Sequence, residues 1–401
     1  MTSLKVRAYG KHAAIAMIST LIVGGGIGGL SLARELTIRA LPVTVLEKAA
    51  QLNPIGAGII MNPNAMGVLE RNGLAEALRR DAWPYLMRET CDRRGRLLAV
   101  RDYRPLYDSG KLSTGALVHR AHLLEALYRG VPRESVRFGV AVRSIDLLPD
   151  RVRLETERHG VFEADVLVGA DGIHSQVRRH AFGEIEPLYM GYRSHRMVVD
   201  NAAGIRNFIE FLGHGQRIGL VPISERRLYA WTTFNSPRER PPVLDSADAF
   251  RAMFAQFTDE RIRCLFSQLC SSDEFITTEV EEIRLDRWAQ GRSVLLGDAV
   301  HAMTPNIGQG AGMAMEDAAV LAAELEAVHS GGQGLAQGLE KYVARRKSRV
   351  ETMMRVSREV GDEGQLSSTI GCWLRNRRVR RAGRDKEKML ADLERLLAYP
   401  G

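Results

Sequence analysis

Four cysteines in 401 residues, Cys91, Cys264, Cys270 and Cys372, are too few and too scattered for a disulfide framework, and no two form a CxxC pair. They read as reduced thiols. None of the ten histidines stands in an HExxH or Cys/His spacing, and there is no GxSxG elbow, which argues against a metal hydrolase or an esterase. No metal site is expected. No run approaches the ~18 uninterrupted apolar residues of a spanning helix. The opening "MTSLKVRAYGKHAAIAMIS" has two charges among its first seven residues but no apolar segment adequate for a signal peptide. A cytoplasmic protein is therefore expected, with residues 1–16 as a disordered extension or an overlong gene start. Internal repeats and low-complexity blocks are also missing.

What is present is a chain with 45% hydrophobic residues, long enough to bury a large core in two interwoven domains. Its net charge of +8 is uneven: residues 372–401 hold nine Lys/Arg against four Asp/Glu. That tail reads as a helical, solvated segment packed by Leu390, Leu393 and Leu397, in preference to a weak membrane-surface contact. No motif supports nucleic-acid binding.

Residues 21–30, "LIVGGGIGGL", place Gly24, Gly26 and Gly29 in a GxGxxG spacing between an apolar run and a helical pattern. A buried strand would enter a tight turn there, and the helix that follows would aim its N-terminus at a pyrophosphate. Glu47 closes "LPVTVLE", the second strand, 18 residues after Gly29, where an acid can bind a ribose hydroxyl. The rest of the chain has no second GxGxxG in a strand-to-helix context. This separates it from oxidoreductases with two nucleotide domains.

Farther along, "RETCDRRGRLLAV" reads as a hairpin turning at Arg94-Gly95, and "GALVH" as a strand leading into the helix "RAHLLEALYRG". The region 186–284 is dense in β patterning, as in an antiparallel sheet, with helices over 246–269; helices then dominate from 311. Two further strand-to-helix motifs stand out. One is "DVLVGADGIHSQVR", with Asp171-Gly172; the other is "LLGDAVHAMTPNIGQGAGMAMEDA", with Asp298, Pro305, and Gly308-x-Gly310-x-Gly312 opening a long helix. The glycine-rich start directs N–H groups and a positive dipole end at whatever lies against it, and Asp298 can accept bonds from sugar-like hydroxyls.

Together, "GGGIGG" with Glu47, "DVLVGADGIHSQVR" and the Asp298 motif resemble the single-component FAD-dependent monooxygenases of the aromatic hydroxylase type, over roughly residues 17–365. "PIGAGIIMNPNAM", "LGHGQRIG" and "HAMTPNIGQG" look most like the salicylate-hydroxylase-like enzymes and the 2-alkyl-3-hydroxy-4-quinolone synthases. Flavin-dependent halogenases share the nucleotide fold, but their Trp-x-Trp-x-Ile-Pro motif has no match around Trp83, Trp231, Trp288 or Trp373. The resemblance implies an α/β fold in which a Rossmann-type FAD-binding domain (17–85, 116–185 and 285–360) is interwoven with a smaller antiparallel β-sheet substrate domain (86–115 and 186–284), followed by a basic helical tail (361–401).

For chemistry, the resemblance implies that NADH or NADPH reduces FAD and O2 adds to flavin C4a. The distal oxygen of that hydroperoxide then passes to an electron-rich aromatic small molecule. Epoxidation or N-hydroxylation of a lipophilic metabolite, or flavin reduction without oxygen insertion, are the alternatives; the protein would be a monomer or homodimer. Candidate FAD contacts are Gly24, Gly26, Ile27, Gly28, Gly29, Glu47, Lys48, Gly58, Arg120, Asp171, Gly172, Asp298, Gly308, Gly310 and Ala311. Candidate catalytic residues are Arg196, Tyr229 and Pro305. If "YRSHRMVV" is a strand, Tyr192, Ser194 and Arg196 share one face, and Arg193 and His195 the other. Arg196 would bind an anionic substrate or form a salt bridge fixing the sheet; Tyr229, Trp231 and Thr233 would form an aromatic wall or simple packing; His214 reads as a turn residue.

Overall fold

The computed structural model describes residues 18–52, 57–242, 244, 246–271 and 275–399. The expected extension 1–16 and residues 53–56 of the Gly/Pro/Asn-rich loop lie outside them. The apolar run before the glycines forms strand Thr20–Val23, buried at every position, as suits a strand with parallel neighbours and both faces covered. Val43–Glu47 flanks it on one side and Val166–Gly169 on the other, both parallel. Val136–Phe138 and Ser293–Leu295 extend the two sides, again parallel. Ala289–Gln290 then closes one edge of the six-stranded sheet as an antiparallel arm.

In chain order these parallel strands lie third, second, first, fourth, fifth. The winding therefore reverses between Thr20–Val23 and Val166–Gly169, and open sheets of this kind take ligands outside the carboxyl ends of the strands at that reversal. The loops at Gly24 and Ala170 meet there.

A seven-stranded sheet runs Ile276–Glu282, Leu188–Asp200, Arg227–Asn235, Gln216–Pro222, Phe208–Leu212, Met87–Asp92, Leu97–Asp102. The sequence predicts an antiparallel sheet, and one junction departs from that: Phe208–Leu212 runs parallel to Met87–Asp92. The hairpin 87–102, turning where Gly95 adopts φ +82°, comes from a distant part of the chain, so no short turn obliges it to pair antiparallel. One face of the sheet is covered by helices Ala247–Met253 and Glu260–Ser267 around Phe211, Phe234, Phe250 and Phe254. The other face carries Phe208, Val221 and Tyr229 into a second cluster with Tyr85, Tyr103 and Leu117.

Helix Gly310–His329 packs on Ile27–Ile38, and the 30-residue helix Leu335–Gly364 packs on Gly310–His329. Helices Thr369–Ala382 and Lys386–Leu397 complete the chain; Leu397 is buried beside Tyr85 and Tyr103, with Leu390 and Leu393 against the same cluster. The architecture is α/β with a second β-sheet and a helical C-terminus. Among the described residues no helix is long and apolar enough to cross a membrane, and the four cysteines are free thiols.

Candidate active site

The three fingerprint glycines do different work. Gly24 has φ +106°, and a Cβ there would collide with the Ala170 carbonyl. A Cβ on Gly29 would strike the carbonyl oxygen of Gly24. Those two let helix and strand approach closely. A Cβ on Gly26 would meet nothing within 4 Å, so the space in front of it is left for a ligand. Helix Ile27–Ile38 begins at Gly26 without a side-chain cap or an acid in its first turn, and its free N–H groups and positive dipole end suit a phosphate. Glu47 braces this loop: Oε2 accepts from Gly25 N at 2.7 Å and Oε1 from Ala49 N at 2.8 Å. Lys48 is exposed outside the cleft.

In front of Gly26 lies a cleft with two compartments of about 340 and 350 Å³, joined where both are lined by Gly26, Ala57, Arg120 and Arg196. Glu47 lies in the second. Ile27, Gly28, Gly58 and Gly172 lie in the first, as do Asp298, Pro305, Gly308, Gly310 and Ala311. Helix Gly310–His329 also starts without a side-chain cap, because the Gln309 side chain is bonded to Asn64. Its free N–H groups give the first compartment a second positive end. Gly308 turns the loop at φ +63°, and its carbonyl accepts from Asn62 Nδ2 at 2.8 Å. Asp298 is exposed, with Oδ1 beside Gly310.

The Asp171 side chain turns back onto its own helix, where its carboxylate accepts from Ser175 Oγ at 2.5 Å, Gln176 N at 2.7 Å and Val177 N at 3.2 Å. It anchors the start of helix Gln176–Phe182, and its neighbours Ala170 and Gly172 present backbone to the cleft. Burial raises its pKa, while the bond from Ser175 and those amides oppose the rise. Arg120, although exposed at the rim, is hemmed in by protein atoms, which lowers its pKa; Asp298 opposes the shift and Arg196 adds to it.

The alternation of strand Leu188–Asp200 sorts the residues of the β wall. Ser194 and Arg196 line the cleft. On the other face Arg193 pairs with Glu279 at 2.5 Å, and His195 stacks on Phe234 with ring centres 4.9 Å apart. The Arg196 side chain forms no hydrogen bond or ion pair among the described residues, so a salt bridge fixing the sheet is not seen there. Tyr229, Trp231 and Thr233 line the cleft together, and Gly58 lies so close to the Tyr229 ring that a Cβ would collide with it. Burial raises the Tyr229 pKa, while Arg196 and Arg120 oppose that. His214 sits in the turn before Gly215, its N–H donating to Gln256 Oε1 at 2.9 Å.

A split cleft with two uncapped glycine helix starts, an anion-seeking junction and an aromatic far wall fits FAD. Residues 17–357 match the family described as FAD binding domain. A 2-heptyl-3-hydroxy-4(1H)-quinolone synthase of Pseudomonas aeruginosa is 33% identical over 366 residues, covering 90% of this chain and 94% of that protein. The chain belongs to the FAD-dependent aromatic monooxygenase family. An aurachin C monooxygenase/isomerase of Stigmatella aurantiaca is 32% identical, covering 92% of this monooxygenase and 95% of that one. HpxO of Klebsiella pneumoniae, solved with FAD and uric acid, superposes with a TM-score of 0.85 at 25% identity, covering 97% of this chain and 98% of that one.

Sequence reasoning missed the polar floor of the monooxygenase cleft. Arg217, 1% exposed, reaches it from strand Gln216–Pro222. Its Nε donates to Thr233 Oγ1 at 3.2 Å and Gln365 Oε1 at 3.1 Å, its Nη2 to Asn306 Oδ1 at 2.5 Å, and its Nη1 lies 3.5 Å from Glu210. Glu210 also holds buried Arg88 at 2.5 Å. Burial alone would raise the Glu210 pKa, and Arg88, then Arg217, overcome it to lower it. Asn306, next to Pro305, donates to Ser357 O at 2.8 Å and Tyr192 Oη at 3.0 Å. The available signal was Arg217 inside "QRIGLVP", a charge in an otherwise apolar strand.

Proposed function

We propose that the monooxygenase uses NADH or NADPH and O2 to hydroxylate a planar aromatic or heteroaromatic molecule held between Tyr229, Trp231, Thr233 and the Pro305 loop. The observation that carries this reading is the first compartment itself. It sets the Gly310 helix start opposite an aromatic wall, with the Arg196 guanidinium, unpaired among the described residues, to one side. FAD, when bound, supplies the reduction and oxygen-transfer chemistry.

The chain's own residues then divide the work. Gly26 and the Ile27 helix start would hold the pyrophosphate, with Arg120 adding charge at the junction of the compartments and Asp298 accepting from cofactor hydroxyls. The Gly310 start would favour negative charge on the ring system lying against it. Trp231, whose ring covers Gly219, and Tyr229 give the substrate a flat, largely apolar seat and help exclude water. Arg196 would take an oxygen anion of the substrate, which makes the ring more electron-rich.

The relative named for a 4(1H)-quinolone favours a nitrogen heteroaromatic substrate. A panel of 4-quinolones and aromatic acids tests this, scored by NAD(P)H consumption coupled to product labelled from 18O2. NAD(P)H oxidation that no panel member stimulates, or product without label, would refute it.

A further inference from the structure

Helix Thr369–Ala382 contains five arginines and no acid, and its two faces are chemically unlike. Cys372 and Arg375 are buried, with Arg375 donating to the carbonyls of Gly213 at 2.9 Å and Gly364 at 3.3 Å. On the opposite face Ile370, Trp373 and Leu374 are 74%, 55% and 47% exposed. Their i, i+3, i+4 spacing makes them one patch. Arg377 and Arg381 continue the same face toward the C-terminus, flanked by Arg378 and Arg380, all exposed. Arg377 lies 4.8 Å over the Trp373 ring, and Arg378 pairs with Glu363. The guanidinium groups of Arg380 and Arg381 have no ion pair or hydrogen bond among the described residues. The hairpin tip with Arg93, Arg94 and Arg96 stands beside this helix, Arg93 being near enough to act on Cys372.

We propose that this face docks on an anionic lipid bilayer, with Ile370, Trp373 and Leu374 in the interface and the arginines on lipid phosphates. A second copy would set arginine against arginine, and three apolar side chains fall far short of the ~800 Å² per partner that a stable protein interface buries. A bilayer takes both halves of the face: acyl chains accept the apolar turn, and phosphates accept the guanidinium groups that snorkel beside it. The helix follows directly on Gln365, whose Oε1 accepts from Arg217 and from Thr233 of the cleft wall. Docking would thus bring the cleft close to where lipophilic ring compounds partition.

The test is co-sedimentation of the full-length, FAD-loaded protein with vesicles of phosphatidylcholine alone or with a quarter phosphatidylglycerol. Expected is salt-sensitive binding to the phosphatidylglycerol vesicles only, with a blue shift in emission that Trp373→Phe removes. Ile370→Ser/Leu374→Ser should weaken binding at least about tenfold, and Arg377→Glu/Arg380→Glu/Arg381→Glu by about 100-fold, both with FAD absorbance retained. Absence of binding at low salt, or equal binding by both variants, would overturn the proposal. So would a dimer in sedimentation equilibrium that these substitutions dissociate while vesicles leave it untouched.

Discussion

Gly26 and Gly29 occupy the same turn, and adding a methyl should harm them in opposite ways. At Gly26 the methyl enters the space in front of the helix start, so Gly26→Ala is expected to leave apoprotein stability unchanged and weaken FAD at least about tenfold. At Gly29 it meets the Gly24 carbonyl, so Gly29→Ala should cost about 1–3 kcal/mol of folding stability before any cofactor is added. Denaturant midpoints with and without FAD separate the two cases. Asp298→Ala should release FAD on gel filtration; a fully yellow variant would remove Asp298 from the cofactor site.

His195 belongs to stability, not to the cleft. Burial, and then Arg193, lower its pKa from 6.5 to about 4. Between those values the unfolded chain binds a proton that the folded site rejects, so stability is fully present above pH 6.5 and falls as pH drops toward 4, by up to about 3 kcal/mol. His195→Phe should flatten that slope in acid denaturation, and an unchanged slope would refute the assignment.

At the scale of elements, the long helices hide a polar spine behind the cleft. Glu316 and Asp317 on helix Gly310–His329 are fully buried and meet Arg346 of Leu335–Gly364 at 2.5 and 2.7 Å. Arg349 joins Glu316 at 2.7 Å, and His301 joins Asp317 at 2.6 Å. Burial would raise the Asp317 pKa, but His301 and Arg346 hold it low. Arg346→Met leaves two buried carboxylates short of a partner and should cost about 3 kcal/mol, read from urea unfolding of apo and holo protein. The sequence made part of this design legible. Glycines that open helices announce themselves because almost nothing else tolerates those contacts, and the alternation in "YRSHRMVV" put Ser194 and Arg196 on one face. Arg217, Asn306 and the Glu316/Asp317 pair stayed hidden because most of their partners lie tens to more than a hundred residues away. The Asp171 carboxylate looks like a cofactor ligand because a strand followed by Asp-Gly has the same sequence whether the acid faces a ligand or caps its own helix.

At the scale of the molecule, Asn306 is where three regions meet: the Pro305 loop that carries it, the β floor through Arg217, and helix Leu335–Gly364 through Ser357. If the proposed function holds, Asn306→Ala should leave FAD binding near normal, yet divert oxygen from hydroxylated product to peroxide, measured by peroxide yield per O2 consumed. The sheet order adds a constraint on how the protein is made. Strand Thr20–Val23 gains its second neighbour only when Val166–Gly169 is made, Val166–Gly169 in turn waits for Ser293–Leu295, and the helix start at Gly310 emerges later still. The hairpin 87–102 likewise waits for Phe208–Leu212. During synthesis, the early half of the chain must hold open strand edges over a long stretch of translation, the condition under which nascent chains aggregate or recruit chaperones. On this topology a complete FAD cleft exists only at the end of translation, and FAD binding to it would stabilise the closed, non-local fold by mass action.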